Sequence, residues 1–196
     1  MPIPPTERIT PSQFDFDRAR LDRTYAVDRL QQEVRQVIQN YPPYIYYSTI
    51  PLIGPGKAKP GVTDFSDPDW TTWVELPILK SCPYIQTVLA SLDCRKTSVR
   101  LLRLEPGGVV QEHTDPTLNL DFRQQVRLHV PVFTNAAVKF RVNGAIVPFQ
   151  PGELWYLRFS DAHSVHNDGA TERIHLSIDV VVNDWLEQLI VQGRQS

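Results

Sequence analysis

The sequence predicts a mainly β fold with flanking helices, in which a jelly-roll barrel of short antiparallel strands forms the largest part. Runs rich in β-branched and aromatic residues follow one another from Ser98 at roughly ten-residue spacing. Turn signals separate these runs, among them Pro106-Gly107-Gly108, Asn143-Gly144 and Pro151-Gly152. Helical spacing of apolar residues occurs before Ser98 and again near the end of the chain.

The part before Ser98 is predicted to contain helices and loops. Apolar residues from Val27 to Ile38 follow helical spacing within the charged segment Asp17 to Asn40, and Pro42-Pro43 ends that helix. The remaining predicted elements are a strand at 44–47, a long ordered loop at 51–73 and a short helix from Pro83 to Leu92.

Seven strands and a final helix are predicted after that point. The strands are Ser98–Leu104, Val109–His113, Gln125–Phe133, Val138–Val142, Ala145–Val147, Glu153–Arg158 and Arg173–Val182. Asn183-Asp184 then caps a helix over Trp185–Val191. We therefore expect one domain, residues 1–196, with an N-terminal part (1–97) packed on a jelly-roll core (98–182) and a C-terminal helix (183–196).

The composition indicates a globular protein of 196 residues with 41% hydrophobic residues. Its net charge of −2 gives no electrostatic footprint for nucleic acid or an anionic membrane. No apolar stretch is long enough to span a membrane or to serve as a signal peptide, and Cys82 and Cys94 form no disulfide framework. We therefore expect a cytoplasmic protein, whose oligomeric state the sequence does not specify.

All five histidines lie between His113 and His175, and the first begins the triplet His113-Thr114-Asp115. On an extended backbone, residues i and i+2 project to the same side, so His113 and Asp115 can reach one metal. Two imidazoles and one carboxylate hold Fe(II) while leaving coordination positions open. Taken alone, the pair is a weak signal, and the simpler interpretation is a surface histidine and an aspartate in a turn before Pro116.

A third ligand is expected from His163 or His166, which follow an apolar strand, although either could be an ordinary turn residue. Arg173 lies among apolar neighbours on a later strand, where a buried guanidinium needs an anion to pair with. Arg127 and His129 are a further pair at i and i+2, whose alternative interpretation is a solvated strand face.

Four motifs in order carry a resemblance to a known family: R-L-E-P-G-G-x-x-x-x-H-T-D, R-L-H-V-P, P-G-E-L-W-Y-L, and a histidine followed after nine residues by arginine. Together they resemble the aspartyl/asparaginyl β-hydroxylase family, and they are similar to bacterial proline hydroxylases. These are double-stranded β-helix (cupin-like) oxygenases that use Fe(II), 2-oxoglutarate and O2. The resemblance covers residues 98–182.

The resemblance implies a role for six residues. His113, Asp115 and His163 would bind the metal, and Arg173, Arg127 and His129 would hold the cosubstrate 2-oxoglutarate. His163 is preferred to His166 because its ten-residue distance from Arg173 matches the family's spacing. Some animal members lack the acidic ligand, whereas Asp115 is present here. His175 is expected to pack or to point outward.

The implied activity is hydroxylation of an unactivated C–H bond, at the β-carbon, of an amino acid. The substrate is expected to be an Asp/Asn-type residue in a peptide or a free amino acid such as proline. The main alternative is a cupin-like protein that acts as a metal-binding sensor or an isomerase. A further alternative is a structural interaction domain without a metal. Residues 44–73 and 114–124 are expected to contact the substrate, and Arg103, Arg123 and Asn119 are expected to pair with a substrate carboxylate. Trp155, Phe140 and Val130 are expected to exclude water from the surroundings of the metal.

Overall fold

The computed structural model describes residues 14–43, 46–55 and 73–194. Its strands and helices, in chain order, are β1 (Arg18–Thr24), α1 (Val27–Asn40), β2 (Tyr47–Pro55), β3 (Trp73–Glu75), α2 (Pro77–Lys80), α3 (Pro83–Ala90), β4 (Lys96–Leu104), β5 (Val109–His113), β6 (Gln125–Phe133), β7 (Val138–Val142), β8 (Ala145–Ile146), β9 (Glu153–Leu157), β10 (His163–Asn167), β11 (Arg173–Val181) and α4 (Asp184–Gly193).

The strands form two antiparallel sheets. The larger sheet has the order β1-β9-β6-β11-β4-β2-β3, and the smaller one has the order β5-β10-β7-β8. Neighbours in the larger sheet are far apart in the chain, since β11 pairs with both β4 and β6. Two facing sheets of this kind form the sandwich of a jelly roll.

Strand β11 shows how the larger sheet divides the interior. Ile174, Leu176, Ile178 and Val180 belong to the apolar core on the helix side of the sheet. The alternate residues Arg173, His175, Ser177 and Asp179 project to the opposite face, because side chains alternate along a strand. These four polar residues are also buried. The polar face of β11 is therefore inside the protein, between the two sheets.

The helices cover the outer face of the larger sheet. Helix α1 buries Leu30, Val34 and Val37, and α4 buries Leu186, Leu189 and Ile190 in the same core. The buried Glu33 of α1 accepts hydrogen bonds from the backbone N–H groups of Tyr84 (2.6 Å) and Ile85 (2.9 Å). Its carboxylate thus satisfies the free amide groups at the N-terminus of α3, where negative charge is favoured.

Most predicted strands are confirmed within a residue or two of their ends, and the C-terminal helix is confirmed with Asn183 as its cap, whose side chain accepts a hydrogen bond from the backbone of Leu186. Strand β10 was not predicted, because His163–Asn167 contains two histidines, a serine and an asparagine and has little strand propensity. None of the helices in the described ranges is long and apolar enough to cross a bilayer.

The N-terminal part differs from the prediction of helices and loops. The first helix begins at Val27, and the preceding residues Arg18–Thr24 form a strand on the edge of the larger sheet, paired with β9. Ala19 and Leu21 are buried there at the two-residue period of a strand. The helical spacing of apolar residues further along the chain led to the prediction of a helix instead of this strand. The predicted strand at 44–47 begins instead at Tyr47 and continues to Pro55, so it takes up the start of the predicted loop at 51–73; residues 44–45 and 56–72 lie outside the described ranges.

Candidate metal and anion site

The pairing of β5 with β10 brings two of the predicted metal ligands together. His113 and His163 are direct cross-strand partners, and their ring centroids lie 4.2 Å apart. Asp115 follows two residues after His113, just beyond the end of β5. One potential ligand atom from each of these three residues lies within 4.8 Å of the other two. The residues predicted from the sequence therefore form one group.

Backbone contacts orient both imidazoles of this group. Nδ1 of His113 lies 2.8 Å from the carbonyl oxygen of Gln111, and Nδ1 of His163 lies 2.9 Å from that of Asp161. A carbonyl oxygen can only accept, so each Nδ1 carries the proton and donates it. In a neutral imidazole this leaves the lone pair on Nε2, as a metal ligand requires. Burial lowers the pKa of His163 and favours that neutral form.

Asp115 is held at both its backbone and its side chain. Its N–H donates to the carbonyl oxygen of Phe159 (2.8 Å), which ties the end of β5 to the segment before β10. Its Oδ2 accepts a hydrogen bond from Nη1 of Arg127 at 2.7 Å. One carboxylate oxygen is thus engaged by a guanidinium, and the other can serve as a monodentate ligand.

A chain of ion pairs continues from Asp115 into the sheet. Arg127 also donates to Asp179 through Nε (2.7 Å) and Nη2 (3.1 Å), and Arg100 donates to Asp179 through Nη2 (2.9 Å). Burial by itself would raise the pKa of Asp179, but the charges of Arg127 and Arg100 outweigh it and lower that pKa. The Asp179 carboxylate correspondingly raises the pKa of Arg127 against the effect of burial. Both groups remain charged.

A small cavity of about 60 Å³ lies beside the histidines, lined by Tyr47, Leu102, Val110, His113, Arg127, His129, Phe140, Phe159, His163, Val165 and Arg173. Arg173 is 2% exposed, and its Nε and Nη2 have no hydrogen-bond partner among the described residues. Burial lowers the pKa of this guanidinium. Such a charge is costly to bury unpaired, so the cavity presents donors for an anion.

His129 and His175 form a buried pair next to Arg173. Their Nδ1 atoms are 3.1 Å apart, and neither Nε2 has a partner among the described residues. Burial, reinforced by the positive charge of Arg173, lowers the pKa of both rings well below the ordinary range. His175 was expected either to pack inside the protein or to point outward, and its buried side chain shows that it packs inside.

A second cavity lies on the other side of Arg127. Its volume is about 420 Å³, and its lining is Trp73, Ser98, Arg100, Asp115, Pro116, Thr117, Leu118, Gln125, Arg127 and Asp179. Sequence reasoning missed Ser98, Arg100, Gln125 and Asp179 as site residues. The sequence pattern that could have identified these residues is the alternation of polar and apolar residues on β4, β6 and β11. That pattern also fits a strand whose polar face is exposed to solvent, so it did not indicate a site. The segment after β5 contributes as expected, with residues 115–118.

Three arginine and asparagine side chains predicted to bind a substrate carboxylate are engaged elsewhere. Arg103 pairs with Glu105 (2.8 Å) and Glu172. Arg123 pairs with Asp184 and Glu187 of α4, and the Asn119 side chain accepts a hydrogen bond from the backbone of Asp121 in a local turn. Each therefore has a local partner in the structure, and the binding of a substrate carboxylate by these three residues stays a prediction.

Two further predictions depend on the alternation of side chains. His166 comes three residues after His163, and this part of β10 pairs with β7 without a register shift, so His166 projects to the opposite face and is not part of the group that can share a metal. Val130 lies on the helix side of the larger sheet and not around the metal group. Phe140 and Trp155, in contrast, belong to the apolar cluster between the sheets.

The sequence model of one protein family, described as "Aspartyl/Asparaginyl beta-hydroxylase", matches residues 74–182. Among solved structures, the viral collagen prolyl hydroxylase vCPH from Paramecium Bursaria Chlorella virus-1, determined as a 2-oxoglutarate complex, is similar with a TM-score of 0.53 and 12% identity over 86% of this chain and 98% of that one. AviO1 from Streptomyces viridochromogenes Tue57 is similar with a TM-score of 0.52 and 14% identity over 86% and 90% of the two chains. These likenesses concern the fold, and they confirm the predicted jelly roll.

Proposed function

This chain belongs to the aspartyl/asparaginyl β-hydroxylase family, and we propose that it hydroxylates an unactivated C–H bond, at the β-carbon, of an amino acid. As a member of this family, the protein is a 2-oxoglutarate-dependent hydroxylase. The group of two histidines and one aspartate fits the use of Fe(II), 2-oxoglutarate and O2. We propose an Asp/Asn-type residue in a peptide or a free amino acid such as proline as the substrate.

The observation that carries this proposal is the group formed by His113, Asp115 and His163. One ligand atom from each residue lies within 4.8 Å of the others, and because both Nδ1 atoms donate to backbone carbonyls, Nε2 is the nitrogen available to a metal on each histidine. Two imidazoles and one carboxylate suit Fe(II) and leave three coordination positions open. We therefore propose these three residues as the metal ligands. When bound, the iron with O2 and 2-oxoglutarate supplies the oxidising chemistry, in which 2-oxoglutarate is converted to succinate and CO2.

Arg173, Arg127 and His129, which all line the small cavity, are the proposed partners of 2-oxoglutarate. Arg173 lines a cavity that also borders His113 and His163, and its Nε and Nη2 have no hydrogen-bond partner among the described residues. A planar guanidinium can pair with a carboxylate through two parallel hydrogen bonds. The aromatic rings of Phe140 and Phe159 line the same cavity, where they exclude water and strengthen that pairing.

Arg127 has two further proposed roles, both of which follow from its contacts. It holds Oδ2 of Asp115, so that the carboxylate presents a single oxygen to the metal. It also separates the small cavity from the larger one, since it lines both. The larger cavity reaches Asp115 from the outside, and we propose that the substrate enters there.

A metal-binding sensor or isomerase on the same barrel is the second candidate. It would share the three ligands, but it would have no use for a buried guanidinium with unsatisfied donors beside them. Nε and Nη2 of Arg173, which have no hydrogen-bond partner in the part of the chain that the structure describes, therefore favour the oxygenase.

Anaerobic addition of Fe(II) and then 2-oxoglutarate tests the proposal. We expect a weak visible charge-transfer band from the chelate, and release of succinate once O2 and a substrate are admitted. His113→Ala should abolish both, whereas the matched control His166→Ala, on the other face of β10, should retain them. Iron binding without any effect of 2-oxoglutarate would contradict the proposal and favour the sensor.

Substrate identity is tested by a separate screen. The protein is incubated with each of the twenty amino acids and with short peptides containing Asp or Asn, and products are examined by mass spectrometry for the gain of one oxygen atom. Hydroxylation of a free amino acid and of a peptide residue are the two expected classes. A complete absence of both, with 2-oxoglutarate turnover intact, would contradict an amino-acid substrate.

A further inference from the structure

His175 has no role in the site as proposed, yet it is placed next to it. It lies on β11 two residues after Arg173 and is 0% exposed. The register pairs Ser177 with His129, so His175 is the diagonal neighbour of His129 on the same face of the sheet. Its Nδ1 is 3.1 Å from Nδ1 of His129.

A contact between two imidazole nitrogens at this distance requires one donor and one acceptor. Burial and the charge of Arg173 lower the pKa of both rings, so each carries a single proton. The two tautomers are therefore linked. If His175 carries its proton on Nδ1, His129 must carry its own on Nε2, and the reverse arrangement moves both protons.

Among the residues that the structure describes, His129 supplies the one side-chain hydrogen bond to His175, and the other recorded ring contacts of His175 are with phenylalanines. Its ring stacks with Phe140 at a centroid distance of 6.3 Å and meets Phe149 edge-on at 4.9 Å. Its Nε2 has no partner among the described residues, so the Nδ1 contact with His129 is its only side-chain hydrogen bond there. The apolar rings thus hold His175 in place while its single polar contact acts on His129.

The two histidines differ in what they face. His129 lines the small cavity together with Arg173, whereas His175 does not. An anion in that cavity accepts hydrogen bonds, so it can be bound by His129 only through a protonated Nε2. We propose that His175 donates its Nδ1–H to Nδ1 of His129 and thereby keeps the Nε2 proton of His129 directed at the anionic cosubstrate. His175 is then a positioning residue, and this inference rests on the proposed function.

The tautomers can be observed directly. We would label the histidines with 15N, load the protein with Zn(II), which is redox-inert, and record ring nitrogen spectra with 2-oxoglutarate bound. The expected result is an Nε2-protonated His129 beside an Nδ1-protonated His175. The opposite pair of tautomers would overturn the inference.

Substitution supplies an independent test through the dissociation constant of 2-oxoglutarate, measured by calorimetry on the same Zn(II)-loaded protein. His175→Leu should weaken binding by roughly tenfold, the value of one hydrogen bond to a charged group. His175→Asn should stay within about threefold of the wild type, because the amide N–H can replace Nδ1–H.

A second substitution separates positioning from packing. In a His129→Gln background the side-chain amide has no tautomers, and it can turn its NH2 group to the position of Nε2 whichever proton His175 carries. His175→Leu should then change the dissociation constant by less than about twofold. An equal loss in both backgrounds would show a packing role and overturn the inference. If the wild-type protein binds no 2-oxoglutarate, the proposed function and this inference both fail, whereas binding without coupling removes the inference alone.

Discussion

Asp179 is the centre of the buried ion-pair chain, and its substitution by asparagine is the most informative single change for stability. The carboxylate accepts three charged hydrogen bonds, one from Arg100 and two from Arg127. Its side chain is only 9% exposed. Asp179→Asn keeps the size of the side chain but removes the negative charge on which both guanidiniums depend.

The expected cost follows from what the substitution leaves behind. Removing one partner of a buried ion pair costs about 3–5 kcal/mol, because the remaining charge stays buried. The amide oxygen of asparagine can still accept a hydrogen bond, and Asp115 still neutralises part of Arg127. We therefore expect Asp179→Asn to lower the free energy of unfolding by about 3 kcal/mol, the low end of that range.

Urea unfolding of the metal-free protein at pH 7 measures this difference. The matched control is Asp168→Asn, which removes an equally short ion pair between Lys139 and Asp168 at the surface (2.7 Å). Exposed pairs contribute about 1 kcal/mol or less. Because the pKa of Asp179 is lowered in the folded protein, its contribution is present above its unfolded pKa and is lost as pH falls through the folded pKa. If Asp179→Asn costs no more than Asp168→Asn at pH 7, the buried chain does not stabilise the fold as argued.

Three further predictions concern other buried charges. Arg173→Leu should abolish 2-oxoglutarate binding yet raise the free energy of unfolding of the metal-free protein by about 1–3 kcal/mol, because it removes buried donors that have no hydrogen-bond partner among the described residues. A lower urea midpoint would contradict this. Because burial lowers the pKa of His129 and His175, both are neutral in the folded protein but gain protons in the unfolded chain below about pH 6.5. The free energy of unfolding should therefore decrease below that pH by up to about 1.4 kcal/mol per pH unit for each histidine. His175→Leu should reduce this slope, and equal slopes for the variant and the wild type would contradict the prediction. Glu33→Gln should cost about 1–2 kcal/mol in thermal or urea unfolding, because the charged cap of α3 is lost, and an unchanged midpoint would refute that role.

Local sequence signals were sufficient for most of the core strands, whereas the metal group also required the resemblance to a known family. The triplet from His113 to Asp115 needs only an extended backbone to place two ligands on one side, and the turn signals between strands depend on the backbone freedom of glycine, proline and asparagine. The choice of His163 over His166 required the family's spacing in the sequence. In the structure the same choice follows from the alternation of side chains along β10, which places His163 and His166 on opposite faces. Strand propensity alone did not predict β10.

The sequence by itself determined that β11 and β6 have one polar and one apolar face, because a strand has a side-chain period of two. It did not determine which face is interior. A polar face normally indicates solvent, whereas here the second sheet covers it, so that Arg173, His175 and Asp179 are buried. Only the tertiary structure decided the contacts of Asp179 with Arg100 and Arg127, since they join three strands that are distant in the chain. Their pairing is a consequence of sheet register, which no local pattern encodes.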